Sequence, residues 1–105
     1  MCDIVYISKY FDVRRKNLQT TAKFFKALAD EKRLNIIHLL SDGEKCACFL
    51  QKEMALTQSG LSYHMKLLTA AGIVTARPDG RWIHYSLAEN ISKRAEQYLK
   101  QLLTN

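Results

Sequence analysis

The sequence predicts a mainly helical domain carrying one β-hairpin, and three observations predict it. Apolar residues recur at helical spacing through most of the chain. Two of these helical segments are separated only by Ala55-Leu56-Thr57, the pattern of a helix-turn-helix. Directly after them, strand-like alternation surrounds the turn residues Pro78-Asp79-Gly80, the signature of a hairpin. Together these make a winged helix-turn-helix, expected to pair as a homodimer through its terminal helices.

At 105 residues the chain fits one domain, residues 1–105, without repeats or a linker. No apolar run has the length of a membrane span. The amino terminus lacks a basic flank followed by an apolar stretch and a small-residue cleavage site. A cytoplasmic location with no membrane partner is therefore expected. The net charge of +6 favours a polyanionic partner. Three cysteines, an odd number in a reducing compartment, read as free thiols open to metal or redox chemistry.

Residues 1–17 combine apolar positions with the basic run Arg14-Arg15-Lys16 and show no clear period, so an arm or an extra helix is expected. From about Leu18 to Ala29, Thr21, Phe24, Phe25 and Leu28 mark a helix. Asp30 is placed to cap the next one. Its stripe is Leu34, Ile37 and Leu40, broadened by Ile36 and Leu39, and Ser41-Asp42-Gly43 stops it. A short helix follows from about Cys46 to Met54. A longer one runs from Gln58 to Ala71, capped by Thr57 and ended by Gly72. Ile73–Arg77 and Arg81–Leu87 form the hairpin, with Ile83, Tyr85 and Leu87 toward the helices.

Asn90 can cap a last helix over residues 90–105. There Ile91, Ala95, Tyr98 and Leu102, with Leu99 and Leu103 alongside, make a seam for another helix. The seam either covers the chain's own core or joins two copies. Its place outside the helix-turn-helix favours a dimer interface.

The helix from Gln58 to Ala71 sets Leu61, Met65 and Leu68 on one face. Gln58, Ser59, Ser62, Tyr63 and Lys66 lie on the other. Amide, hydroxyl and cationic groups over an apolar anchor suit the major groove of double-stranded DNA. The helix start offers N–H groups to a phosphate. An ordinary surface helix is amphipathic too, but from Thr57 to Ala76 there is no Asp or Glu, which favours the polyanion. His64, at the edge of the stripe, is expected as a half-buried helper or a phosphate contact. Arg77 and Arg81, on either side of the hairpin turn, can reach the adjacent minor groove or its phosphates.

Three stretches in register resemble the ArsR/SmtB-type metal-sensing repressors. Lys26-Ala27-Leu28-Ala29-Asp30-Glu31-Lys32-Arg33-Leu34 is similar to that family's opening motif. Gln58-Ser59-Gly60-Leu61-Ser62-Tyr63-His64-Met65-Lys66, followed by Ala71-Gly72-Ile73-Val74, resembles its recognition helix. Gly80-Arg81-Trp82-Ile83-His84-Tyr85-Ser86-Leu87 resembles its wing strand. The likeness runs from about Leu18 to the C-terminus. It implies a homodimer that represses its own operon and leaves operator DNA when an inducer binds. Gly60 departs from the family's larger residue at a helix cost of up to about 1 kcal/mol. A close approach to DNA or to a neighbouring helix would account for it.

Glu44-Lys45-Cys46-Ala47-Cys48-Phe49-Leu50 resembles the inducer-site signature of the arsenic- and cadmium-sensing branch. Chemistry points the same way. Two thiolates two residues apart can chelate one soft ion at the irregular start of a helix, whereas on a regular helix they diverge. The helix start and Lys45 would lower the thiol pKa values. The alternative is a pair of small buried hydrophobes.

Phe49 stands in place of the signature's aspartate, and Gln51 where some arsenic sensors carry a third cysteine. The remaining thiol, Cys2, either completes a trigonal site across the dimer or is a stray residue of the tail. Three thiolates suit As(III) or Sb(III) as inducer, with Cd(II) and Pb(II) as further candidates and no cofactor required for DNA binding. Residues 92–105 hold no histidine and only Glu96 as a carboxylate, so the zinc or nickel site of related sensors is not expected.

Three rival classes can be weighed. The cysteines could instead form a redox switch. An enzyme would need a nucleophile motif or acidic dyad in a substrate cleft, and none is legible. A winged helix that binds protein would carry acids on its recognition face, and this face has none.

Overall fold

Capping side chains decide where the helices begin. The computed structural model describes residues 18–104; the expected N-terminal arm, with Cys2, lies outside the described residues. Helix α1 occupies residues 18–28 and α2 Glu31–Leu39. At their junction the Asp30 carboxylate accepts from the backbone N–H groups of Lys32 at 2.8 Å and Arg33 at 3.2 Å. The N–H of Arg33, more than any other group, holds that carboxyl below its ordinary pKa.

Helices α3 (Ala47–Met54) and α4 (Gln58–Ala70) are joined by a turn in which Ala55 takes a left-handed conformation. The Leu56 N–H bonds back to the Gln51 carbonyl, and Thr57 Oγ1 accepts from Gly60 N at 3.0 Å to open α4.

Strands β2 (Val74–Asp79) and β3 (Trp82–Leu87) form the hairpin. Its turn is Gly80-Arg81, one step later than the expected Pro78-Asp79-Gly80, because Asp79 pairs with Trp82 and Pro78 with Ile83. Gly80, at φ +64°, takes the first loop position, which the primed two-residue turn reserves for glycine. The strand tolerates Pro78 because β2 is an edge. The third strand was not anticipated. Lys45–Cys46 forms β1, antiparallel to β3, giving the order β1-β3-β2.

One core joins these elements. Leu61, Met65 and Leu68 are buried as expected, against Phe24, Ile36, Leu50, Ile73, Val74 and Tyr85. Helix α2 is rotated from the expected stripe: Arg33, Ile36 and Leu40 are buried, while Leu34 is 51% exposed. Hydrogen bonding explains the exchange. The Arg33 guanidinium donates to the carbonyls of Ala27 at 2.7 Å and Lys26 at 3.3 Å, adding a donor for Ala27 at the end of α1 that a leucine lacks; the Lys26 carbonyl also accepts from Ala29 N.

Helix α5 (Ile91–Leu103) closes the described chain. Asn90 stands at its N-cap but is left-handed and makes no side-chain cap bond, contrary to expectation. Arg94 does the anchoring instead, donating to the Gly72 carbonyl and lying 5.5 Å from the centre of the Phe24 ring. Gly72, at φ +71°, holds a conformation strained for any other residue, and a Cβ there would displace the Arg94 guanidinium, whose Nη1 would lie 2.9 Å away. Ile91, Ala95 and Tyr98 pack on the chain's own core, whereas Leu99, Leu102 and Leu103 are exposed. The seam therefore divides between core cover and free apolar surface. No helix among the described residues is long and apolar enough to cross a membrane.

Candidate nucleic-acid interface and dithiol site

The outer face of α4 presents Gln58, Ser59, Ser62, Tyr63 and Lys66, all exposed. Gly60 has a local reason for its size. A Cβ there would lie 3.1 Å from Thr57 Oγ1 and 3.8 Å from Leu56 Cδ2, so glycine makes room for the helix's own cap.

His64 does not belong to the outer face. It is buried, and its Nδ1 accepts from Arg33 Nη1 at 3.1 Å. Arginine can only donate, so the proton of the neutral ring sits on Nε2. Burial pushes the imidazole pKa below its ordinary value. The Arg33 and Lys32 charges push the same way, while Asp30 opposes them. His64 thus connects α4 to the α1–α2 junction, the place of the half-buried helper that was one of its two expected roles.

In the wing the two arginines have different surroundings. Arg81, in the turn, is exposed. Arg77 is engaged by Glu44 through two hydrogen bonds, Nε to Oε2 at 3.1 Å and Nη2 to Oε1 at 2.7 Å. These bonds hold the Glu44 carboxyl below its ordinary pKa. His84 lies 3.8 Å from both Glu44 and Asp79. Arg77 is therefore a strut within the wing, and Arg81 the cation at its tip.

Cys46 ends β1 and is the N-cap of α3, with extended backbone angles of φ −70° and ψ 145°. Cys48 lies inside the first turn. That break in regularity brings the two sulfurs side by side, with Cys48 Sγ directed at Cys46 Sγ. Cys46 Sγ also accepts from Cys48 N at 3.3 Å. The bond from the Cys48 thiol, then the amides of Cys48 and Phe49, lower the Cys46 pKa against desolvation. Donating to Cys46 raises that of Cys48.

Lys45 takes no part in this, because its Nζ is paired with Asp42 at 2.7 Å. Neither thiol is a buried hydrophobe: Cys46 is half-buried and Cys48 exposed. Among the described residues no group of three or more His, Cys, Asp or Glu side chains could hold a metal ion. The dithiol is a two-sulfur site there, and Cys2 lies outside.

Cys48 opens onto a cleft of about 540 Å³ between α3, the start of α4 and β3. Ala47, Leu56, Leu61 and Ile83 line its apolar side, and Gln58, Ser62 and Arg81 its polar side. The cleft is invisible in the sequence because its walls come from three separate segments.

A short helix, a tight turn, a longer helix and a hairpin on a shared core define a winged helix-turn-helix protein. Residues 30–76 match the family described as "Bacterial regulatory protein, arsR family". The arsenical resistance operon repressor of Bacillus subtilis (strain 168) is 47% identical over 64 residues, 60% of this chain and only 61% of that repressor's length. The CadC homolog of Staphylococcus aureus, a cadmium resistance transcriptional regulatory protein, is 32% identical over 110 residues, covering 98% of this chain and 85% of the relative. Among solved structures, the homodimeric winged helix-turn-helix domain Mb0332 of Mycobacterium bovis has a TM-score of 0.71 at 28% identity. That match covers 88% of this chain and 84% of the other.

The chain belongs to the ArsR family of bacterial regulatory proteins. Its relatives and fold neighbours are transcription regulators, not enzymes.

Proposed function

We propose that the chain is a homodimeric, cytoplasmic repressor that binds operator DNA through α4 and the wing tip and lets go when As(III) or Sb(III) binds Cys46 and Cys48. Cd(II) and Pb(II) are the other soft ions of the same class. Paired α4 helices would enter two major grooves about one helical turn apart. Gln58, Ser59, Ser62 and Tyr63 would read base edges or phosphates, with Lys66 and Arg81 adding cationic contacts. The dimer would use Leu99 and Leu102 together with the parts of Ile91, Ala95 and Tyr98 left open by the core.

The observation that carries the sensor half is the convergence of the two sulfurs at the junction of β1 and α3. The bond between them lowers the Cys46 pKa and raises that of Cys48. Binding a soft ion takes Cys46 as thiolate and draws the proton off Cys48. The junction is also tied to the wing. Cys46 pairs with His84, Lys45 with Tyr85, and Glu44 holds Arg77. A change in sulfur spacing therefore acts on the wing as well as on α3, and both flank the recognition helix. A coupling of about 1–3 kcal/mol would weaken DNA binding about 5–150-fold.

A reporter driven by the promoter upstream of the chain's own gene tests the proposal. It should be silent when the chain is present and switched on by arsenite. Cys46→Ser and Cys48→Ser should keep it silent with arsenite added. Loss of repression without arsenite in both variants would contradict the division between the DNA-binding face and the sensor.

One observation favours a second reading. Two neighbouring free thiols are also the arrangement in which an oxidant forms a disulfide. Peroxide in place of arsenite would then be the inducer.

A further inference from the structure

We propose, building on the reading that α4 binds operator DNA, that the hydrogen bond between Arg33 and His64 braces the reading face of α4 and that acid releases DNA by breaking it. His64 is then a positioning residue, and the release needs neither thiol.

Position gives the first reason. His64 and Arg33 are 8% and 7% exposed, polar groups set at the edge of the core. Arg33 Nη1 meets His64 Nδ1 at 3.1 Å, while Nε and Nη2 of the same guanidinium hold the carbonyls of Ala27 and Lys26. One planar group thus ties the end of α1 and the start of α2 to the middle of α4. Among the described residues, no other α4 side chain hydrogen-bonds beyond α4 and its cap. Next to His64 on the helix, the Tyr63 ring lies 5.3 Å from the imidazole, edge to face, and is 60% exposed. A shift of the imidazole therefore reaches a residue that the proposed function gives to DNA.

Charge gives the second. A proton gained at Nδ1 would face an Arg33 N–H, which can only donate. The acceptor is lost, and two cations meet where little water reaches. The groups facing the imidazole are Arg33 and Lys32 of α2, Asp30 at the α1–α2 junction, and Tyr63 of α4. Asp30 is the one anion of that set, and its carboxylate is committed to the amides of Lys32 and Arg33. Turning it toward His64 would open the cap of α2. Phosphates would draw on the proton only from the far face of α4, through screening solvent, whereas the Arg33 charge acts at contact. Burial first, then the α2 cations, keep the ring neutral down past the ordinary histidine value, so the brace is whole at neutral pH.

The test titrates the full chain against a labelled duplex from upstream of its own gene, without arsenite and at fixed salt. The pH runs from about 7.5 to about 5.5, around the ordinary histidine value, over the range in which helical circular dichroism stays constant. Acid adds positive charge to any protein and by itself tightens its hold on DNA. Here the duplex should instead bind at least about fivefold more weakly at the acid end. His64→Asn, whose amide oxygen falls where Nδ1 stands and does not titrate, should abolish that weakening. In the native chain, nuclear magnetic resonance of the His64 ring should show its proton on Nε2 at neutral pH and a titration in step with the loss of binding. Binding that stays level or tightens in acid, or a His64→Asn chain that weakens as the native one does, would overturn the brace and leave α4 as the DNA-binding helix. If His64→Asn binds at no pH, the native ring decides: a titration out of step with DNA release would overturn the brace. A native chain that binds no duplex at the neutral end would overturn the DNA-binding reading of α4 and the brace with it.

Discussion

Cys46 lies directly across the β1–β3 pairing from His84, so the first thiol of the Cys-Ala-Cys turn belongs to the same sheet as the wing. A two-residue strand contributes few ladder bonds, and the added tie between Glu44 and Arg77 holds this edge to the far strand. The two arginines of the wing therefore have different work. Arg81→Ala should weaken operator binding and reduce the slope of log K against log salt by about 0.9, the loss of one phosphate contact. Arg77→Ala should change that slope far less and instead shrink the release caused by arsenite. Anisotropy titrations over a range of salt, with and without arsenite, separate the two effects.

The acidities of the thiols predict an order of reaction. Hydrogen bonding from Cys48 lowers the Cys46 pKa, and the same bond raises that of Cys48. Since only the thiolate is alkylated, iodoacetamide should modify Cys46 at a pH below that needed for an ordinary thiol, and Cys48 only above it. In Cys46→Ala the alkylation of Cys48 should move down toward the ordinary range. Peptide mass spectrometry across pH 6 to 10, as an approximate window around the usual thiol value, follows both sites.

His64 predicts a stability loss on mild acidification. Its pKa is lowered in the fold, mainly by burial, with the charges of Arg33, Lys32 and Asp30 facing it. Below the ordinary histidine value of about 6.5 the unfolded chain therefore binds more protons than the folded one. Stability is complete above that value and falls as pH drops toward the folded pKa. Urea midpoints should decline between about pH 7.5 and pH 5.5. The decline should be shallower in His64→Gln, whose amide oxygen can still accept from Arg33.

The free end of the α5 seam predicts an assembly variant that folds. Leu99, Leu102 and Leu103 are exposed, Leu103 by 83%, whereas Ile91, Ala95 and Tyr98 pack on the core. Leu102→Glu should leave the helical circular dichroism unchanged, convert the dimer to monomer in sedimentation, and weaken operator binding. A variant that stays dimeric would place the interface elsewhere.

Local chemistry made much of this legible in advance. Asp30 and Thr57 cap helices because a short acceptor before an apolar period has few other uses. Leu61, Met65 and Leu68 read as a buried stripe because nothing polar interrupts it. Misreadings arose where a distant partner decided the outcome. Leu34 looks more apolar than Arg33, yet only arginine can donate to the Ala27 carbonyl at the end of α1. The pairing of Arg77 with Glu44 was equally hidden, because 33 residues separate them. Strand β1 has no period to detect, since it is two residues long and exists because β3 offers it an edge. Pro78 and Asp79 look like a turn, but an edge strand accepts them and the glycine that follows makes the tighter loop.

Fluorescence anisotropy of a labelled duplex from upstream of the chain's own gene, titrated with protein in the presence and absence of arsenite under a thiol-free reductant, tests the central claim most directly. Tight, salt-sensitive binding that arsenite releases in the native chain, and fails to release in Cys46→Ser/Cys48→Ser, is the result expected. Binding that arsenite leaves unchanged in the native chain would contradict the proposed coupling between the Cys46–Cys48 dithiol and the DNA-binding face.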